Sequence, residues 1–364
     1  MQILDMNIVN FRNLKDKHLE FDRRFNLFLG KNGQGKTSIL EAVYFTVTGK
    51  SFRTKKNKEM IKYGFHKMGS FVNYEDRVAL KSISVKTDES KKVYSYNRKK
   101  IKYGEFLGKL NIISFIPEDI ELIVGSPSIR RSFFDYEIAQ ADPEYYRYLK
   151  SVSKLLKFRN KYLKARNTRD PMFEIYNLEF IKYASLVIKK RVDYVKNVSR
   201  LLSLNYRKLF DGEKELTLGY KSFLGELRSP TLEEIEGKIK KNYEKVKDRE
   251  LRYGYSLIGP QRDDFLFLLD TKEAKSYSSQ GEKKSIVFAL KISEIDMIIK
   301  EKKETPIFII DDISSYFDSI RKENILKYFK KREIQLFISS TSDLEIDAKR
   351  FYVYRGEISD EEFS

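Results

Sequence analysis

The chain has 364 residues and carries 71 lysines and arginines against 53 aspartates and glutamates, a formal net charge of +18. This length suits two or three domains. The charge predicts attraction to polyanions, although a solvated lysine-rich surface would give the same total. With no cysteine and only His18 and His66, the sequence excludes disulfides, a thiol nucleophile, cysteine-ligated zinc and a histidine-rich metal centre.

The chain lacks the features of a membrane or exported protein. No apolar run approaches the roughly 20 residues that span a bilayer. The first residues, MQILDMNIVNFRN, are typical of a strand and differ from the basic-then-apolar pattern of a signal peptide. We therefore expect a cytoplasmic protein.

The first elements in chain order lead to a phosphate-binding loop. Gln2 to Asn10 and the segment around Leu19 to Phe21 predict two strands. Asn26 to Leu29 then predicts a buried strand, and Gly30 to Thr37 fits the pattern GxxxxGK[ST]. A helix is expected from Ser38 to Thr48.

Each residue type in this loop suits phosphate binding. The glycines let successive backbone N–H groups face phosphate oxygens, Lys36 supplies a positive charge, and Thr37 offers a hydroxyl to Mg²⁺. The helix dipole favours the same anion. The predicted nucleotide-binding residues are Gly30, Lys31, Asn32, Gly33, Gln34, Gly35, Lys36, Thr37 and Ser38.

The next segments predict an outer sheet. Lys50 to Lys62 is basic, and its Lys55, Lys56 and Lys58 are candidate DNA contacts, with a solvated loop as the alternative. Ser70 to Asn97 alternates apolar and polar residues between charged turns, which is typical of a small antiparallel sheet.

The middle of the chain predicts long helices. Asp142-Pro143 and Asp170-Pro171 are helix starts, and the second of these helices is expected to run from Met172 to Phe210. A strand at Leu216 to Tyr220 comes next. Thr231 and Glu234 then form a predicted capping box for a helix that ends at Gly254.

The last third contains a second acidic motif. A strand at Phe265 to Leu269 and a helix that opens near Ser279 precede an apolar strand that ends in Asp311-Asp312. This is typical of a Walker B segment, in which Asp311 holds Mg²⁺ and Asp312 polarises the attacking water. A further strand is expected from Ile334 to Ser339.

These elements predict an α/β fold, an ABC-type phosphate-loop ATPase head interrupted by a mainly helical lobe. The predicted head comprises residues 1–115 and 255–364, and the predicted lobe comprises residues 116–254.

Several sequence blocks, taken together, carry a family resemblance. The chain resembles SMC-like ABC-type ATPase heads, and more closely the RecF family of bacterial recombination mediators. The blocks are Asn10-Phe11-Arg12-Asn13, Gly33 to Thr37, Leu40-Glu41-Ala42, Ser51-Phe52-Arg53, Pro117-Glu118-Asp119, Gly125 to Arg131, Gly259 to Asp264 and Ser279-Gln280-Gly281.

The resemblance implies a mechanism and partners. Two heads would bind Mg-ATP face to face, each nucleotide being capped by Ser279 and Gly281 of the other head, with Asp318 at the D-loop position. Lys36 and Asp312 would be the catalytic residues, and Arg12 and Arg53 would face nucleotide or DNA. The resemblance also implies slow, DNA-stimulated ATP hydrolysis, duplex DNA beside a single-stranded gap as target, RecR as partner with RecO and RecA acting indirectly, and a role in DNA replication, recombination, repair and the SOS response.

The sequence also departs from the ABC pattern. Asp312 stands where Glu is usual, and Glu282 where many signature motifs have Gln. No glutamine lies between Gln34 and Gln140, so the Q-loop glutamine is missing, and Thr341 or a neighbouring serine replaces the switch histidine. These departures predict slow hydrolysis.

Three alternatives stay open. A transport ATPase subunit would have an LSGGQ-like signature and a surface for membrane helices. A nucleotide-gated DNA-binding protein would hydrolyse little or no ATP. An SMC-like break-repair ATPase would need long coiled-coil arms, for which this chain has no room.

Overall fold

We describe the chain from a computed structural model. The description covers residues 1–313 and 319–363, and side chains are not described for residues 319–321. The strands are β1 Gln2–Val9, β2 Lys17–Glu20, β3 Phe25–Leu29, β4 Lys67–Glu75, β5 Leu80–Asp88, β6 Lys92–Tyr96, β7 Lys99–Ile101, β8 Ile112–Phe115, β9 Leu216–Lys221, β10 Asp264–Leu269, β11 Lys272–Glu273, β12 Ile307–Ile310, β13 Leu336–Ser340, β14 Lys349–Tyr354 and β15 Glu357–Ser359.

The described helices include four that are longer than twenty residues. They are α1 Lys36–Thr48, α2 Tyr103–Phe106, α3 Glu121–Val124, α4 Pro127–Ala141, α5 Pro143–Lys164, α6 Pro171–Leu209, α7 Leu232–Tyr253, α8 Ala274–Tyr277, α9 Gln280–Lys302 and α10 Ser319–Arg332, with 3₁₀ turns at Asn57–Met60, Pro117–Ile120 and Pro260–Arg262.

The chain forms two compact units. The first comprises Met1–Ile120, Lys208–Asp211 and Lys284–Ser364, and the second comprises Glu121–Arg207 and Gly212–Lys283. This division differs from the predicted boundaries mainly at the C-terminal side, where residues 255–283 belong to the second unit. The physical reason is that β10 pairs with β9 from Asp264↔Lys221 to Leu269↔Leu216. Residues 116–120 and 208–211, which were predicted in the lobe, belong to the first unit.

The first unit contains two six-stranded sheets. One is antiparallel, in the order β2-β1-β4-β5-β6-β7, and the other has the order β15-β14-β3-β13-β12-β8. In the second sheet β14, β3, β13, β12 and β8 are parallel, and β15 is antiparallel at the edge. Strands buried on both faces of a parallel sheet are apolar throughout, which explains runs such as Ile307–Ile310.

The core of the first unit lies around α1. Ile39 and Val43 of this helix are buried with Met6 and Val72 of the antiparallel sheet and Phe337 of the parallel sheet. The other face of the parallel sheet is covered by aromatic contacts, in which Phe288 of α9 packs against Phe115 and Phe308 with ring centroids 5.1 and 6.2 Å apart. The helix that follows the phosphate loop is therefore fixed between two layers.

The second unit is helical with a small sheet, in the order β11-β10-β9. Its helix starts form as predicted. The Asp142 carboxylate accepts the N–H of Glu144 at 2.9 Å, and Thr231 and Glu234 bond reciprocally at 3.0 and 3.2 Å. Such caps satisfy N–H groups that have no partner within the helix.

A buried ion pair lies inside the second unit. Arg159 and Glu250 are both fully buried and their charged groups are 2.9 Å apart. Arg159 also donates to Asn177 at 3.0 Å and to Ser256 at 2.6 Å. Because a buried charge is costly without partners, these contacts fix how α5, α6 and α7 pack.

Candidate nucleotide site

The phosphate loop lies where the sequence predicts it, between β3 and α1. All five residues of β3 are buried, and the chain leaves the sheet at Gly30. A side chain could not replace this glycine, because a Cβ would lie 2.4 Å from the carbonyl oxygen of Val353. Gly33 has a φ of +80°, a conformation that residues with a Cβ rarely adopt. The backbone therefore requires glycine at both positions.

The first turn of α1 is open to an anion. Gly35 caps the helix without any side-chain hydrogen bond, and the first turn contains no acidic residue. The first N–H groups of a helix have no partner within it and carry a partial positive charge. Such a helix start suits a phosphate.

Lys36 lies against the loop. Its Nζ donates to the carbonyl oxygens of Gly30 at 2.5 Å and Lys31 at 3.0 Å. Burial lowers the pKa of the Lys36 ammonium, and the negative charges of Asp312 and Asp311 oppose this shift. The side chain is thus already directed over the loop.

Thr37 and Asp311 bring together two oxygen donors. The Thr37 hydroxyl lies 3.0 and 2.9 Å from the two carboxylate oxygens of Asp311, which is only 3% exposed. Burial raises the pKa of Asp311, whereas donation by Ser339 and Thr37 lowers it. A hydroxyl and a carboxylate are hard ligands of the kind that Mg²⁺ prefers, so the residues present fit this ion.

Ser339 organises both Walker B carboxylate residues, and sequence reasoning missed it. Its hydroxyl donates to Asp311 at 2.6 Å and accepts the N–H of Asp312 at 2.8 Å. Asp312 has a φ of +54°, which is uncommon for a residue other than glycine but better tolerated by Asp. The only sign of Ser339 in the sequence is a serine near the end of the strand that pairs with β12.

One cavity of about 790 Å³ joins these groups. Gln34 lies beside it and fastens the loop, because its side chain accepts the N–H of Arg355 and its carbonyl accepts that of Gly356, both at 2.8 Å. The predicted site residues that line this cavity are Arg12, Asn32, Gly33, Gly35, Lys36, Thr37, Ser38, Arg53, Asp311 and Asp312.

Arg12 is held beside the cavity by a buried carboxylate. Its guanidinium bonds both oxygens of Glu41, with Nη2 to Oε1 at 2.7 Å, and donates to the carbonyl of Glu59 at 2.9 Å. Glu41 is fully buried and lies 3.6 Å from the more exposed Arg53. The charge of Arg12 is therefore largely compensated, and Arg53 is the more exposed cation.

The three candidate DNA lysines do not form a strong patch. Lys56 lies 3.2 Å from Glu59 and Lys58 lies 3.8 Å from Glu89, and both side chains are mostly exposed. Lys55 is also exposed. This geometry favours the alternative of a solvated loop.

The signature serine belongs to the second unit and starts α9. The Ser279 hydroxyl accepts the N–H of Glu282 at 3.2 Å, and the Ser279 N–H donates to the Glu282 carboxylate at 2.7 Å. Lys214 donates to the same carboxylate at 2.6 Å and lowers the pKa of Glu282 to about 2. Glu282 is therefore a charged capping residue, which gives it a structural reason at a position where many signatures have Gln. Gly281 lies in the first turn of α9.

Three other predicted positions stand apart from this geometry. Asp318 lies outside the described residues. Thr341 is exposed, and the serine of β13 that contacts the Walker B residues is Ser339. In the region where the Q-loop glutamine is missing, Glu118 follows β8, and its negative charge raises the pKa of Asp311.

Two of the family-like blocks meet inside the second unit. Arg130 bonds both carboxylate oxygens of Asp264, at 2.7 and 2.8 Å, and Arg131 donates to the carbonyl of Asp263 at 2.8 Å. Arg191 joins them through Asp263 at 3.3 Å and Asp135 at 2.9 Å. The paired arginines and the Gly259–Asp264 turn thus form a structural contact.

The fold and the site define an α/β ABC-type ATPase head. Residues 2–353 match the family described as RecF/RecN/SMC N terminal domain. The chain belongs to this family, and within it to the RecF proteins. A DNA replication and repair protein RecF from Lysinibacillus sphaericus is 31% identical over 98% of this chain and 99% of its own length. Its counterpart from Natranaerobius thermophilus is 34% identical over 96% and 95% of the two chains.

Solved structures agree with this assignment. The recombination mediator protein RecF with ATP in the RecFOR pathway has a TM-score of 0.92, with 31% identity over 98% of this chain and 97% of that chain. The Smc head domain of Pyrococcus furiosus, bound to the C-terminal domain of ScpA, has a TM-score of 0.57 at 16% identity, over 98% and 95% of the two chains, and shows the shared fold. In the described part of the chain, no helix has the length and apolar character to cross a membrane.

Proposed function

We propose that the chain is an ATP-dependent DNA-binding recombination mediator with slow, DNA-stimulated ATPase activity. The observation that carries the proposal is the placement of Lys36, Thr37, Asp311 and Asp312 around one cavity. This cavity belongs to a chain related over its length to RecF proteins, and one RecF was solved with ATP.

The phosphate loop would bind the triphosphate of ATP. Lys36 would exchange its two carbonyl partners for phosphate oxygens, and the open N–H groups at the start of α1 would bind further oxygens. Thr37 and Asp311 would hold Mg²⁺, which supplies positive charge to the phosphates. These contacts would form with ATP before hydrolysis, so they would account for the affinity for ATP.

Asp312 would act in hydrolysis. Its carboxylate would orient a water molecule and accept a proton as the water oxygen attacks the γ-phosphorus. The bond from the γ-phosphorus to the bridging oxygen would break, and ADP and phosphate would leave. Because Asp has a shorter reach than Glu, this proton transfer is expected to be slow.

A second copy of the chain would complete the site. The oxygen of Ser279 accepts the N–H of Glu282, so its own proton is available to a γ-phosphate oxygen of the nucleotide bound by the other copy. Gly281 leaves the helix start open beside it, and Asp318 would help to align the partner. ATP would thereby drive dimerisation, and hydrolysis would reverse it.

The dimer would hold DNA. By family relationship the target would be duplex beside a single-stranded gap, with RecR as partner and RecO and RecA acting indirectly. The charge of +18 suits binding to the phosphate backbone. A DNA substrate would place the protein in the bacterial cytoplasm. The full-length relationship to RecF proteins favours this function over a transport subunit.

The short Asp312 side chain favours one other candidate, a nucleotide-gated DNA-binding protein with negligible hydrolysis. The variant Asp312→Asn separates the two. Loss of phosphate release in this variant supports the ATPase, whereas an unchanged rate would mean that Asp312 is not the catalytic base.

Dimerisation tests the proposal directly. We expect sedimentation velocity to show a dimer with Mg-ATP and a monomer with ADP. Ser279→Arg should bind ATP but stay monomeric, because the larger side chain blocks the nucleotide of the other copy. Dimers of equal abundance with ATP, ADP or no nucleotide would contradict the proposal.

A further inference from the structure

The antiparallel sheet of the first unit has one buried and one open face. Met6, Val72 and Val85 point into the core from one face. The opposite face carries a cavity of about 830 Å³, and its lining does not overlap that of the nucleotide cavity. The open face is therefore a separate surface.

The floor of this cavity combines small polar side chains with the aromatic ring of Phe71. Asn7, Phe71, Ser84 and Ser95 lie side by side across β1, β4, β5 and β6, and all four are partly exposed. In the next row Gly69 leaves a low point beside Lys86. The small side chains of Ser84 and Ser95 would let a rod-shaped ligand approach the sheet, and together with Asn7 they would offer it hydrogen bonds.

Cations surround this floor. We name the basic groove by its four exposed cations, Lys67, Lys86, Lys91 and Arg98. None of the four forms an ion pair within the described ranges of the chain. The one carboxylate of the lining is Asp88.

Asp88 is engaged by its own turn. Its Oδ1 accepts the N–H groups of Ser90 at 2.9 Å and Lys91 at 2.7 Å. The neighbouring Glu89 lies outside the lining and is 3.8 Å from Lys58 and 3.5 Å from His66. With four cations and one carboxylate in its lining, the groove keeps an excess of positive charge.

The spacing of the cations suits a nucleic-acid backbone. Lys67 lies opposite Asp88, and Arg98 follows Asn97, whose N–H bonds the carbonyl of Ser82. Lys67 is thus at the level of Asp88 on β5 and Arg98 is next to the level of Ser82, so the two cations are about six residues, or about 20 Å, apart along the strand. One strand of a duplex presents a phosphate about every 3.4 Å along the axis, so several phosphates fall within this length.

We propose that the basic groove binds the phosphate backbone of duplex DNA. The inference rests on the DNA-binding function proposed above and gives that function a surface. The contacts are to phosphates, so binding depends on salt and not on base sequence.

The groove is joined to the nucleotide cavity by the chain itself. Asn10 lines the groove, and Arg12 lines the nucleotide cavity. The Asn10 carbonyl accepts the N–H of Lys62 at 2.9 Å, and Arg12 donates its N–H to the Met60 carbonyl at 2.8 Å. The two cavities therefore share one stretch of chain, residues 10–12.

The test removes two groove cations and compares a control of equal charge. Lys67→Gln/Lys86→Gln alters the groove, and Lys157→Gln/Lys161→Gln alters two exposed lysines of α5 in the second unit. Anisotropy of a labelled duplex with Mg-ATP gives the affinity from about 50 to 200 mM salt. Affinity for a fluorescent ATP analogue is expected to be unchanged in both variants.

The expected effect follows from counterion release. Loss of two phosphate contacts should reduce the slope of log K against log salt by about 1.8 and weaken binding about 20-fold at 200 mM. The control should keep the wild-type slope. Ser84→Asp, which adds a negative charge to the floor, should weaken binding independently of the lysines.

Each contrary outcome has a distinct meaning. Equal losses of affinity in both double variants, or a wild-type slope in the groove variant, would overturn the proposal that the basic groove binds DNA. The proposed function would still stand if the wild type binds DNA in an ATP-dependent way. Tighter binding of duplex RNA than of duplex DNA overturns the choice of ligand. If ATP does not change duplex binding by the wild type, the proposed function fails. The difference in salt slope between the two double variants then still shows whether the basic groove binds the duplex.

Discussion

Removal of the Ser339 hydroxyl should impair hydrolysis far more than nucleotide binding. Ser339 is fully buried, and its hydroxyl joins Asp311 at 2.6 Å to the backbone of Asp312 at 2.8 Å. Ser339→Ala removes both hydrogen bonds. The Asp312 N–H then loses its hydrogen bond to Ser339, and the left-handed residue that carries the carboxylate is held less firmly.

The size of the effect can be worked from these contacts. A hydrogen bond to an ionised group contributes about 1.5–3 kcal/mol, and an unsatisfied buried N–H costs about 1–3 kcal/mol. Because the two effects share one hydroxyl and are not additive, we expect about 2–4 kcal/mol. At about 1.36 kcal/mol per tenfold change, kcat falls about 30- to 1000-fold.

The assay pairs steady-state phosphate release with the affinity for a non-hydrolysable ATP analogue. Affinity should fall much less than kcat, because Lys36 and the phosphate loop keep their contacts and Asp311 keeps its contact with Thr37 when the hydrogen bond from Ser339 is lost. The matched control is Ser340→Ala. It removes a hydroxyl that donates to the carbonyl of Ser342 at 2.5 Å, and it should retain kcat within a few-fold. A wild-type kcat in Ser339→Ala, or equal losses in both variants, would refute this reasoning.

Three further predictions concern other parts of the chain. Lys214→Met should raise the pKa of Glu282 from about 2, and the stability that the ionised carboxylate contributes should then be lost at a higher pH on acidification. NMR titration of the carboxyl group measures this pKa, and an unchanged pKa would contradict the prediction. Arg159→Met leaves the Glu250 carboxylate buried without its ion-pair partner and should lower the free energy of unfolding in urea by about 3–5 kcal/mol. Adding Glu250→Gln, which removes the charge but keeps an acceptor for the Leu257 N–H, should restore part of the loss. Gly30→Ala, whose Cβ would lie 2.4 Å from a backbone carbonyl oxygen of β14, should abolish binding of an ATP analogue, and wild-type affinity would contradict the strain.

Local patterns in the sequence predicted the elements that depend on neighbouring residues. The phosphate loop follows from the fixed spacing of Gly30 and Lys36, and the cap of α7 from Thr231 and Glu234. Both signals act over a few residues, where backbone geometry is set by local chemistry. The Walker B strand was recognisable because a buried parallel strand is apolar throughout.

Contacts between distant segments could not be predicted in the same way. Ser339 meets Asp311 only because β12 and β13 are neighbours in the parallel sheet. Glu41 binds Arg12 from the buried face of α1, and Lys214 reaches Glu282 across 68 residues. The predicted lobe boundary at residue 254 missed the pairing of β10 with β9, because register between strands is set by the assembled sheet.

The most direct test of ATP-gated DNA binding is an equilibrium titration of single-stranded, duplex and gapped DNA with and without Mg-ATP, at a stated salt concentration. Lys36→Met is the control, because it removes the ammonium that lies over the phosphate loop. ATP-dependent binding to duplex or gapped DNA that is lost in Lys36→Met is the predicted result. Weak binding that is alike on all three DNAs and indifferent to ATP would contradict the account.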